Sequence, residues 1–495
     1  MSGPSFNALL GWELRRIGRS PLLWMVLAAI VASLVWGATT TATLHRDQMA
    51  AQARILAAQD KWLADVHARA DRYSRPAPSG TPELPTWQDP TDLSGFARFF
   101  LFTHSLKPHL PLSPLATGNS DLAPSWLQVK VNVPFAGEPA YDFENPRALA
   151  LGAPGLDFAI VYLLPIGLIL LFGLLATFER DHGMLPLIAA QPVSPRRWLF
   201  ARLSATVVWT VPVVLAGLIL ALLIAGVPLG ADLPALGAAL AVVAAYILFW
   251  TSLAAVVLAS WPGAAAAIGA MTTIWAVLTI GLPLAATLLL SLTPAPSRTA
   301  YVDQQRRISD AVDEDGDAVV TRGLAQDARF GRSGISATGV KDLARISFIL
   351  PEVERRLTPA RAAFLRYRAD QLRIAEGAGY AAPPLGLSMA LARLAGTDDA
   401  RQIRFEQRTS QFQQQLRAFF FGIAKRQVVM PVQSDPAHSR GKLNFTSFDS
   451  VPRYVAPEER SAVTGVWPFV GWLLGVSGLI LVVAGRRLKT WPGAN

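Results

Sequence analysis

Hydrophobic residues in this chain fall in long runs separated by polar stretches. Runs with almost no charge cover residues 21–44, 156–178, 203–227, 233–261, 264–292 and 466–485. About 20 apolar residues is what a helix needs to cross a hydrocarbon core of roughly 30 Å, so the pattern predicts six membrane spans. The first run is too long for the apolar core of a signal peptide, and Ala38 to Ala42 only weakly imitates a cleavage site, so it reads as a retained span. Ahead of it, Phe6, Leu9, Leu10, Leu14 and Ile17 recur at helical spacing beside Arg15, Arg16 and Arg19, which predicts an amphipathic helix on the membrane surface within residues 1–20.

The polar stretches 45–155 and 293–465 make up more than half of the chain. The first opens with a helix-like segment, His45 to Tyr73, followed by Pro-rich sequence from Pro76 to Pro90 that should be extended or looped. The second carries long polar helical segments, Val353 to Glu376 and Asp398 to Lys425, the latter with Ile403, Phe412, Leu416, Phe419 and Phe420 partly in helical register. Both stretches are tethered at each end by spans, so they are expected to pack together as one domain on one side of the membrane.

Composition agrees with the pattern: 52% of residues are hydrophobic and 16% charged, against about 25% charged in soluble domains. The absence of cysteine excludes thiol catalysis, cysteine-ligated zinc, iron–sulfur clusters and disulfides. A net charge of +10 would suit nucleic acid were it not placed at span ends. The N-terminal segment, the loop 179–202 and the tail 486–495 are net positive, which by the positive-inside rule makes them cytoplasmic and leaves the two long polar stretches outside.

The segment from Glu144, ENPRALALGAPGLDFAIVYLLPIGLILLFGLLATFERDHGML, resembles the second span and following loop of ABC-2 type permeases with large extracytoplasmic insertions. The matching positions are Asn145, Pro146, Gly152, Asp157, Leu163, Leu164, Pro165, Glu179, Arg180, Asp181 and Gly183. PLSPLATGNSDLAPSW, with Gly118 and Asp121, LARLAGTDDARQIRFEQRTSQFQQQLRAFF, and SVPRY at Ser450 to Tyr454 are similar to further family stretches in the same order. The chain departs from the pattern at Met184, where the family has Thr, and at Ala201 and Arg202, where it has Gly-Lys. The resemblance implies a mainly α fold: a six-transmembrane-helix ABC-2 type permease with a largely helical extracytoplasmic domain built from the two insertions, related to the permease of nitrous-oxide reductase maturation.

No GxxxxGK[ST] phosphate loop occurs, so an ATP-driven transporter containing this chain must bind ATP and Mg in a separate ATPase subunit. The loop 179–202 is long enough to receive that subunit's motion: Glu179, Arg180 and Asp181 leave the membrane, Gly183 turns, Met184 to Ala190 forms a short helix, Pro192 ends it, and Arg196 and Arg197 return to the headgroups. The two arginines also suit plain anchoring. Asp157, at the outer mouth of the second span, either lines a path or, better supported, serves as N-terminal cap and dipole partner of the span helix. Pro165, Pro212 and Pro283 lie inside spans, as gating kinks or, more commonly, as prolines tolerated by packing.

DAVDEDGDAVVTR, Asp310 to Arg322, superficially resembles a calcium loop, but with Gly316 at position six the terminal positions are Ala311 and Arg322, so it reads as a solvated acidic turn. There is no HExxH, His104 and His109 are off one helical face, and no GxSxG presents a nucleophile, so neither a metal site nor an enzyme is expected. The leading expectation is a permease subunit of the bacterial inner membrane with both termini cytoplasmic. Its partners would be an ATPase dimer, a second permease, membrane lipid and an extracytoplasmic protein, with no nucleic acid. The alternatives are a membrane-anchored sensor or scaffold, and an ATP-driven mechanical lever that moves no substrate.

Overall fold

The computed structural model describes residues 4–73, 88–120, 123–136, 154–292, 294–327, 330, 334–340, 342–429, 443 and 445–488. The chain is mainly helical, and among the described residues six helices are long and apolar enough to cross a membrane. In chain order the helices used below are α1 (Phe6–Gly18), α2 (Pro21–Tyr73), α3 (Leu156–Leu175), α4 (Phe178–Asp181), α5 (Leu185–Ala189), α6 (Pro195–Ile224) and α7 (Leu233–Leu258). They continue with α8 (Ala264–Ser291), α9 (Arg298–Glu314), α10 (Gly316–Gln326), α11 (Asp342–Ala381), α12 (Pro383–Ala395), α13 (Asp399–Val429) and α14 (Trp467–Arg487).

In the apolar bundle, α2 and α1 pack on α6, α6 on α7, and α7 on α14, while α3 fills the space between α2, α7 and α8. Close helix approach is bought with small residues. A Cβ on Gly37 would collide with the backbone of Gly155 and Leu156, so glycine there lets α2 lie against the start of α3. Within α3 and α8, Ala159–Leu163 and Val277–Gly281 are π-helical turns, each followed two residues on by proline. At both places the N–H ahead of the proline reaches the carbonyl five residues back, Leu164 to Ala159 and Leu282 to Val277. Pro165 and Pro283 thus sit where the ladder is already widened, whereas Pro212 lies inside α6.

The sequence suggests a span at 21–44 followed by a separate polar helix. In the structure they are one: α2 runs 53 residues unbroken, about 80 Å at 1.5 Å per residue. Its far end contributes Val66 and Ala70 to the core of a polar domain, which also takes Phe96, Val129 and Val131 from the first polar stretch and Phe348, Phe412, Leu416 and Phe420 from the second. Phe96 meets the rings of Phe420, Phe445 and Phe448 at 6.0, 4.7 and 5.3 Å between centroids. The two stretches therefore share one core, and a short antiparallel ribbon, β1 (His104–Leu106) with β2 (Trp126–Gln128), lies at its edge.

The acidic stretch 310–322 is not a turn. It belongs to α9 and α10, because Val312 and Val319 fall on the side that packs against Val353 and Leu357 of α11. Most of the Pro-rich segment, residues 76–87, lies outside the described residues.

Candidate functional site

At the end of the bundle away from the polar domain, α3 gives way to α4, a left-handed glycine and α5. Gly183 has φ +69° with open space around it, so glycine is needed there for its backbone and not for clearance. Pro186 helps start α5, none of whose residues is buried, and Leu187 is 71% exposed at its tip. Pro192 is exposed beyond the helix, and Ser194 caps α6 by accepting from the Arg197 N–H at 3.3 Å. Arg196 and Arg197 are exposed on the first turn of α6, and Arg196 lies along Gly485 of α14.

Behind this exposed connection is a buried set of charges. Arg202 of α6 donates to Glu13 of α1 at 2.8 Å and to Glu179 of α4 at 2.6 Å, and all three are buried. Arg16 of α1 also pairs with Glu179 and lies 3.3 Å from Glu13. Two carboxylates meet two guanidinium groups, so the set is neutral, which is what makes its burial tolerable. Trp198 closes one face, its ring centroid 4.0 Å from the Arg202 guanidinium carbon, a cation–π contact. Trp209 donates to the Leu14 carbonyl at 3.1 Å and pins α1 to α6 nearby. On the other side Asp181 accepts from the Ala264 N–H at 3.1 Å and so caps α8. The short connection is thereby tied to α1, α6 and α8 at once.

Within this connection Glu179 and Asp181 make the ties, Gly183 makes the turn, and Arg180 is exposed. Glu13 and Arg202 were not legible as members. Glu13 is the one acid of an arginine-bearing amphipathic helix, and Arg202 counts at first sight as a solvated loop charge. In the structure its charge is spent on two buried carboxylates. An arginine one turn into an apolar run is the signal that could have found it.

A second constellation lies where the polar domain meets the bundle. The Leu115 to Gly118 stretch docks on Leu394 to Thr397: the Asn119 N–H bonds the Thr397 carbonyl at 2.9 Å, the Thr397 hydroxyl bonds the Ala116 carbonyl at 3.2 Å, and Ser113 bonds the Ala395 carbonyl at 3.2 Å. Asn119 also donates to Asp399 at 2.6 Å. Gly118 has φ +52°, and a Cβ there would overlap Thr397. Asp157 sits close by, its carboxylate beside Gly155, where a Cβ would meet both it and the Thr117 hydroxyl. Of the cap and dipole-partner role suggested by sequence, the position fits the dipole half: an acid in the first turn of the span helix. Gly155 occupies the cap position, without a side-chain bond. Asp121, Asn145 and Pro146 lie outside the described residues.

Beside this constellation Lys107 donates to Gln402 at 2.8 Å, and burial with the Arg401 charge brings its ammonium down to about 8. Burial likewise pushes His104 and His109 down to about 4.

Fold and site together define a multi-pass, mainly helical membrane protein. Within it, residues 298–430 match a family described as a domain of unknown function, DUF3526. That stretch begins at α9 and covers the second half of the polar domain. No curated protein and no solved structure matches the chain.

Proposed function

We propose that the chain is the membrane-spanning permease subunit of a bacterial ABC transporter of the ABC-2 type. It sits in the inner membrane with both termini cytoplasmic and the polar domain outside. Two copies, or one copy and a similar partner, rest on a dimer of ATPase subunits that bind ATP and Mg, and this chain hydrolyses nothing. The supporting observation is the α4–α5 connection, an exposed apolar tip at Leu187 backed by the neutral Glu13–Arg16–Glu179–Arg202 set. A displacement of α5 by the ATPase reaches Glu179 through the Gly183 turn and from there α1 and α6, while Asp181 carries it to α8.

Copurification of the tagged chain in mild detergent tests the reading. An ATPase at equal stoichiometry supports it, and recovery without one, from membranes that retain the full chain, counts against it. A second reading, in which ATP drives the polar domain as a lever and no substrate crosses, draws on the unbroken α2. Tilt at the membrane end of a continuous helix must appear at its far end. Nucleotide-dependent distance change between spin labels in the polar domain, without transport of any solute into vesicles, favours this version.

A further inference from the structure

A cleft of about 830 Å³ in the polar domain lies between α9, α11 and α13. Nearly all of its wall comes from the stretch that matches DUF3526. That size is within the roughly 300–1,000 Å³ of small-molecule pockets. Its wall is largely apolar, with Tyr301, Phe364, Leu365 and Ile403, and Leu365 is 49% exposed although nothing in a polar domain requires it to be apolar.

The cleft's charge is one-sided. Arg368 is paired with Glu406 at 2.6 Å, but Arg298 and Arg361 have no carboxylate partner among the described residues. Arg361 is positioned by other means: it donates to Ser410 at 3.3 Å and stacks 4.0 Å over the ring of Phe135. Arg361, fixed by Ser410 and Phe135, and the exposed Arg298, which lines the same cleft, together suit a phosphate joined to a hydrocarbon chain.

The cleft is also close to the bundle. Leu288, Leu289 and Leu292 are exposed at the end of α8, and the chain reaches the cleft within a few residues at Pro296 and Arg298. The end of α8 packs against α11, and Tyr380 of α11 meets Phe469 and Trp472 at the start of α14, with centroids 6.0 and 5.6 Å apart. Such aromatic clusters sit at membrane–water interfaces. From Tyr380 to Gln371 in the cleft wall is nine residues of α11, about 14 Å.

We propose that this cleft binds one anionic phospholipid from the adjoining leaflet, its phosphate at Arg298 and Arg361 and an acyl chain along Tyr301, Phe364 and Leu365. The assignment needs no ATPase and stands apart from the permease reading. The test reconstitutes the full chain in phosphatidylcholine vesicles containing phosphatidylglycerol with a diazirine on its acyl chain, followed by photolysis and peptide mass spectrometry. Adducts are expected on α9 and α11 within residues 298–305 and 361–371. Leu365→Trp or Val302→Trp, both at exposed positions that leave the melting temperature unchanged, should cut them by roughly tenfold. Arg298→Glu should lower labelling by the anionic probe and leave that by diazirine-phosphatidylcholine unaltered. Adducts confined to the six apolar helices, labelling indifferent to both tryptophans, or equal labelling by the zwitterionic probe would each overturn the proposal. Displacement of the adducts by inorganic phosphate alone would mark a free-anion site and overturn it too.

Discussion

Glu13 and Arg202 face each other at 2.8 Å with both side chains 1% exposed, although 189 residues separate them in the chain. The pair joins a short amphipathic helix to the third long apolar helix. Loss of one member leaves the other's charge buried. Glu13→Gln or Arg202→Met should each cost about 3–5 kcal/mol of stability. The double variant, which leaves Glu179 with Arg16, should recover a large part of that loss, because neighbours in one network are not additive. Thermal unfolding of the detergent-solubilised protein reads all three, and additive losses would contradict the shared network.

Leu187 is the opposite case, exposed and touching nothing that holds the fold. Leu187→Asp should leave folding and membrane insertion intact, within about 0.5 kcal/mol. It should, on the permease reading, abolish association with the ATPase subunit in a pull-down. Gly183→Pro, which cannot adopt φ +69°, should have the same effect by breaking the turn. Undiminished pull-down by both variants would remove the role given to α5.

At Gly118, alanine meets both a left-handed backbone and the Thr397 side chain. Gly118→Ala is expected to destabilise the junction of the two polar stretches by roughly 1–3 kcal/mol. Limited proteolysis should then cut the polar domain faster, while the apolar bundle stays protected. Thr397→Ala in the same chain should relieve part of the damage by making room.

His104 and His109 are held down to about 4 by burial, against an ordinary value of 6.5. Between those limits the unfolded chain binds protons that the folded domain refuses, so stability rises with pH across the window and is lost as pH falls from about 6.5 towards 4. His104→Gln with His109→Gln should flatten that part of a denaturation profile measured from pH 4 to 7. An unchanged slope would place the acid sensitivity elsewhere, among the carboxylates.

The long apolar runs made the six membrane-length helices legible, because a span is a compositional object about 20 residues long. Phe412, Leu416 and Phe420 were legible in the same way, through helical periodicity, and they do enter the polar core. What the runs concealed was contact between distant segments. Glu13, Glu179 and Arg202 acquire meaning only when α1, α4 and α6 converge; the apolar Trp198 to Ala201 ahead of Arg202 sets it apart from the other loop arginines without saying which carboxylates it meets. Locally, 310–322 looked like a turn because its acids and Gly316 dominate. Its helicity comes from Val312 and Val319 finding α11. The junction of the Leu115 to Gly118 and Leu394 to Thr397 stretches was hidden for the same reason, since it pairs segments 281 residues apart.

The neutral charge set also constrains how the protein is built. Synthesis proceeds from the N terminus, so Glu13 is made 189 residues and Glu179 23 residues before Arg202. When the arginine at the head of α6 reaches the bilayer, both of its carboxylates are already in place. An arginine arriving first would enter lipid alone, at about 2.5–3.5 kcal/mol or more. The order of residues along the chain therefore matches the order in which charges can be hidden, and moving Glu13 to a segment translated after α6 should impair insertion even where the finished fold is the same.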